Sequence, residues 1–172
     1  MENKNAPVAS TTSEMLRKKG NGATTNITTT SSTVPFGTLS SATNKIGAQT
    51  LTIATNAGGG YTAHIRYTGT FTNGAGGNIT DHTGTNAAPS TFSAAGTSSF
   101  GYTTEDTTLG TGTPSRFSSN KWAAFTTSNT EIAYSAAAAS ETVKIGYQVG
   151  IATTTPAGSY STTVILTVTP IY

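Results

Sequence analysis

Apolar residues fall at every second position in four stretches of this chain. In "AQTLTIATN", Leu51 and Ile53 share one face and Thr residues the other. In "GYTAHIRYTGTFT", Tyr61, Ala63, Ile65 and Tyr67 point one way, and His64 and Arg66 the other. "TVKIGYQVGI" aligns Val143, Ile145, Tyr147, Val149 and Ile151. "SYSTTVILTVTPIY" aligns Tyr160, Thr162, Val164, Leu166 and Val168. A period of two is that of a strand with one face buried. The candidate core of the final strand is therefore Tyr160, Val164, Leu166 and Val168. Gly58-Gly59-Gly60 reads as a turn joining the first pair of runs into a hairpin, and "TTTPAGS" joins the last pair the same way.

The rest of the chain is less regular. "TTNITTTSSTVPFG" is Thr-rich and extended, with Pro35 at an edge or a break. Residues 73–120 hold loop chemistry such as "NGAGGN", "DHTGTNAAPS" and "GTGTPS", with short strands expected near Phe92 and Phe100–Tyr102. Loops of that length are often functional surfaces. Phe117, Trp122 and Phe125 follow. They read first as core anchors under the long loop and second as an exposed platform for a sugar. Residues 13–19 carry the sole helical pattern, with Ser13 as a cap and Gly20 as a stop. Seven residues are too few for a helix that stands alone. The chain thus divides into an N-terminal arm, 1–22, and a β domain, 23–172.

Composition supports an all-β reading. Hydrophobic residues make up 34% of the 172, and Thr, Ser, Ala and Asn fill the difference from an ordinary globular chain. Two thin sheets face to face suit such a core. Charged residues are only 9%, against a typical ~25%, so charge repulsion does not hold this chain unfolded. The net charge of +2 sits in the arm: Lys4, Arg17, Lys18 and Lys19 face Glu2 and Glu14. The nine basic and seven acidic residues of the whole then leave five of each for the body. A neutral body is not a nucleic-acid groove. There are no cysteines, hence no disulfides and no thiolate metal sites. No apolar run approaches the ~18–20 residues of a membrane span, and no apolar signal segment opens the chain.

Catalytic chemistry is sparse. His64 lies on an outward strand face and His82 in a loop, without His-plus-acid spacing for a transition metal. Glu105-Asp106 is the sole adjacent acid pair, and there is no calcium-loop pattern. Phosphate-cradle and nucleophile-elbow motifs are absent, and "AGGGY" lies between strands rather than before a helix. No catalytic, cofactor or metal residues are expected, so the chain is read as a non-enzyme. "NIT" at Asn26 and Asn78 matches the N-glycosylation acceptor, a match that arises readily by chance in a chain this rich in Thr and Asn.

"TTPAGSYSTTVILTVTP" resembles the C-terminal end of secreted bacterial β-sandwich modules, where a P-A-G-x-Y turn leads into an alternating last strand. "VPFGTLSSATNKIGAQTLTIATNAGGGYT" resembles their front end. Spore-coat-U-type and Csu-type pilins are similar in these two stretches, residues 34–67 and 142–169. The resemblance implies an immunoglobulin-like antiparallel sandwich that is exported and acts at the cell surface or outside the cell. It also implies partners that are identical subunits, joined by β-strand addition into a homopolymer. The arm, extended to residue 33, is then expected to dock on a neighbour, with Val8, Met15, Leu16, Ile27 and Val34 as candidate inter-subunit residues. Two other readings compete. One is a monomeric adhesin-like module that uses the 73–120 loops and Trp122 to contact a glycan. The other is a viral coat or fibre component.

Overall fold

The computed structural model describes residues 8–14 and 22–172. Among them there is no helix and eleven strands. In chain order these are β1 (Val8–Glu14), β2 (Lys45–Thr55), β3 (Tyr61–Tyr67), β4 (Phe71–Thr72), β5 (Asn78–Ile79), β6 (Ser90–Thr91), β7 (Ser99–Thr104), β8 (Lys121–Ala124), β9 (Thr130–Ser135), β10 (Ala139–Gly150) and β11 (Val164–Pro170). A six-stranded sheet runs β1-β2-β10-β7-β8-β6 and a three-stranded sheet runs β11-β3-β9, with β4-β5 as a small side hairpin. Every strand pair is antiparallel. No described helix is long and apolar enough to cross a membrane.

The alternating stripes form the core between the two sheets. Tyr61, Ala63, Ile65 and Tyr67 of β3 are all buried, as their spacing predicts. They join Leu51 and Ile53 of β2, and Val143, Ile145, Tyr147 and Val149 of β10, in one cluster. The all-β antiparallel sandwich expected from the sequence is thus present. Phe117, Trp122 and Phe125 are buried, as the anchor reading has it. Trp122 belongs to a second, smaller cluster with Ala23 and Ala48.

Neither expected hairpin forms. β2 pairs with β1 and β10, whereas β3 pairs with β11 and β9. β10 and β11 likewise lie in opposite sheets. The reason is packing. Two consecutive strands that each carry one apolar stripe can bury the stripes by facing each other across the sandwich, about 10 Å apart, rather than lying side by side. The connectors are built for that crossing. Gly60 adopts φ +80°, and the Gly59 N–H donates to the Ile171 carbonyl at 2.9 Å, tying the crossover to the chain's end. The expected helix start at Ser13 is also corrected. Ser13 and Glu14 pair as strand with Gln49 and Ala48, because an open sheet edge satisfies more backbone than two turns of isolated helix. Met15 to Lys19 lie outside the described residues.

Further chain packs along β2 and over β7. The segment after Gly22 follows β2. The Asn26 side chain donates from Nδ2 to the Asn44 carbonyl at 2.9 Å and accepts from the Ile46 N–H at 2.7 Å. Thr29 Oγ1 donates to the Ala48 carbonyl, and Gln49 Nε2 to the Thr30 carbonyl at 2.9 Å. Beyond it, His82 closes over Gly101, where an added β-carbon would stand 3.0 Å from the His82 Cβ. All six residues of β7 are buried.

The long loops are fixed by one buried polar network. Arg116 Nη2 lies 3.4 Å from Glu131 Oε2, and both side chains are 4% exposed. Arg116 donates from Nε to the Asn86 carbonyl and from Nη2 to Asn86 Oδ1, both at 2.6 Å. Glu131 accepts from the N–H groups of Gly110 at 2.8 Å and Thr111 at 3.0 Å, and from the Thr111 hydroxyl. Asn86 Nδ2 donates to the Tyr102 hydroxyl at 2.8 Å. Burial raises the Glu131 pKa, but the bonds from Thr111, Gly110 and Arg116 outweigh it and hold the carboxyl below its ordinary range. Removing one partner leaves the other charge buried. Glu131→Ala should therefore lower unfolding free energy by ~3–5 kcal/mol in urea titration, and a loss under ~1 kcal/mol would show that the pair is not the tie described.

Candidate functional site: an open groove beside the last strand

The sandwich is closed on one side and open on the other. β11 ends the three-stranded sheet, and no described strand occupies its outer edge. Beside it lies a groove of about 1160 Å³. Core aromatics Phe71, Phe100 and Tyr147 form its floor. Val164 and Leu166 of β11, with Tyr160 and Ile151, stand on one side. Val34, Phe36 and Leu39 stand on the other. All seven of these wall residues are partly exposed while packing on the core. None of the residues lining the groove is charged.

Local sequence explains each wall. β10 is long enough to reach Gly150, so Tyr147 extends the core under the groove. Gly47 opposes Tyr147 in the β2–β10 register. A β-carbon at Gly47 would lie 2.6 Å from Val34 Cγ1 and 2.8 Å from Ile27 Cδ1, so glycine there admits the 27–34 segment. Phe36 then stacks its ring edge-on to Phe100, with centroids 6.3 Å apart. On the opposite side the turn at Pro156 is fixed by the Tyr160 hydroxyl, which donates to the Pro156 carbonyl at 2.7 Å. The Tyr160 ring meets Phe71 at 6.3 Å.

The structure places the sequence-derived candidates unevenly. Val164, Leu166 and Val168 lie on β11 with side chains toward the core, but each stays partly exposed because the strand is an edge. Tyr160 precedes β11 rather than belonging to it. Ile27 and Val34 sit against Gly47 of their own fold, and Val34 also lines the groove. Val8 opens β1, opposite Ala54. Met15 and Leu16 lie outside the described residues. Phe36, Leu39 and Ile151 had no inter-subunit role in the sequence reading. The "VPFG" and "GI" contexts were visible, but nothing in them marks a groove.

Chemistry elsewhere is structural. Trp122 is fully buried, so its ring has no free face for a sugar. Among the described residues no three His, Cys, Asp or Glu side chains are placed to hold a metal. Asp106 accepts from the Thr108 N–H at 2.6 Å and the Tyr134 N–H at 2.9 Å, which makes it a loop tie. His82 lies in a loop, as the sequence reading has it, and is buried there, 3% exposed. Its Nε2 is 2.9 Å from Ser90 Oγ and its ring stacks on Phe92 at 5.0 Å. No protein family, curated protein or solved structure matches this chain.

Burial makes the charged form of His82 costly and lowers its pKa below 6.5. Well above that pH the ring is neutral in both folded and unfolded chains, and pH has no effect through it. Below it the unfolded chain takes the proton first, so stability falls with falling pH until the folded pKa is reached. His82→Gln should flatten this fall between pH 7 and about 5 in denaturant titrations, where an ordinary imidazole titrates. An unchanged slope would mean that His82 is already accessible to protons.

Proposed function

We propose that this chain is a structural subunit of an extracellular filament or surface array, and that its copies join by β-strand addition. The observation that carries the reading is the uncharged groove along the free edge of β11, floored by core aromatics. Unpaired strand edges are normally blocked by charge, bulges or covering loops. β11 carries no charged residue. An extended segment entering here gains main-chain hydrogen bonds to β11 and buries alternate side chains on Phe71, Phe100 and Tyr147. The lack of a metal cluster among the described residues and the structural use of Arg116, Glu131, Asp106 and His82 leave the groove as the strongest candidate for function. The burial of Trp122 removes the main support for the glycan-binding alternative.

Leu166→Asp tests the reading. From spacing alone this change would strike the core and abolish folding. At a half-exposed edge position its carboxylate reaches water, so the cost should be ~1–3 kcal/mol and the domain should still melt cooperatively. Filaments in negative-stain micrographs should be absent or much shorter than those of the unaltered protein. Filaments of normal length from the folded variant would overturn the groove as the joining site.

A further inference from the structure

β1 is attached to the fold in an unusual way. It ends the six-stranded sheet and pairs with β2 alone, from Val8 opposite Ala54 to Glu14 opposite Ala48. The other edge of β2 pairs with β10 along its whole length, from Lys45 to Thr55. Beyond β1 the described chain resumes at Gly22, and Asn26 holds to Asn44 and Ile46. Residues 15–21, seven residues between β1 and Gly22, can span up to about 24 Å.

The same strand matches the groove. Asn5 to Ser13 carries no charge and is bounded by Lys4 and Glu14. The residues lining the groove carry none either. β1 and β11 are both seven residues long, so one can pair along the whole of the other. Val8, Thr11 and Thr12 favour extended backbone.

We infer that β1 is the strand donated between copies, and that its pairing with β2 of its own chain is a resting position that withholds it. The inference rests on the strand-addition reading above. In the isolated subunit β1 satisfies its backbone on β2. In the assembly it leaves that edge and lies beside β11 of a second copy. The exchange trades one antiparallel ladder for another and adds the apolar contacts of the groove, so its driving force is burial rather than hydrogen bonding. Subunits therefore store their donor strand in ordered form, which slows joining until β1 is released.

The test is an intramolecular lock. Ser10 and Thr52 are directly opposed in the β1–β2 register, and the chain has no cysteine of its own. Ser10→Cys with Thr52→Cys should close a disulfide within the monomer on oxidation, at the short separation of opposed antiparallel residues. Failure to close it would overturn the resting position. The oxidised protein should remain monomeric, and a reducing agent should restore assembly to the unaltered rate. A synthetic peptide of residues 5–14 added to the oxidised protein should bind one per chain and slow hydrogen exchange across Val164–Pro170. Assembly of the oxidised protein at the unaltered rate would show that β1 is not the donor, while leaving strand addition by another segment intact. A locked monomer that binds no peptide would overturn the groove as the destination of β1. Unaltered protein that never assembles would overturn strand addition itself, and this inference with it.

Discussion

A three-stranded sheet has to cover a six-stranded one. Most of what is particular to this protein follows from that mismatch. β11, β3 and β9 cannot shield the inward faces of β2, β10, β7 and β8 by themselves, and uncovered apolar surface is unfavourable by ~25 cal/mol per Å². Irregular chain supplies the rest of the cover. The 31–39 segment brings Val34, Phe36 and Leu39 onto the core, and the turn after β10 brings Ile151 and Tyr160. These pieces close the sandwich at its ends but leave a groove beside β11. The proposed joining site is thus a consequence of the sheet imbalance rather than a feature added to a finished fold.

The same imbalance explains the cost the loops carry. A loop that serves as cover must be held in one place, and its backbone groups must be satisfied away from water. The Arg116–Glu131–Asn86 network does this for the 84–88 and 110–116 regions, and Asp106 does it beside β9. Buried ion pairs are poor sources of net stability. Their role here is to fix loop position, with Tyr102 joining the network to the central strand β7 through Asn86.

The sequence was legible where apolar residues alternate with small or polar ones. That holds for β3, for Leu51 and Ile53 of β2 and for the inward set of β10, whose alternation named the right residues although Gln148 on the other face of β10 is buried too. In β7 the strand near Phe100–Tyr102 was expected, but its burial on both faces was not, because "SFGYTT" shows no alternation. Strand pairing was misread at both supposed hairpins because alternation records which face is buried and carries no information about which sheet a strand joins. The groove was invisible for a related reason. Val164 and Leu166 alternate like core residues, and their partial exposure is set by the position of β11 at the edge of its sheet. β1 was obscured by a short helical pattern that overlaps its last two residues, Ser13 and Glu14, and by an Ala, Ser and Thr content that alternates weakly.

The central claim is that the core of one subunit is completed by a strand from the next. Electron cryo-microscopy of the assembled material tests it most directly, at a resolution that separates strands about 4.8 Å apart. The account predicts a fourth strand beside β11, lying in the groove and continuous with a neighbouring copy. Filaments in which the edge of β11 stays bare, and subunits touch only through the 73–120 loops, would contradict it.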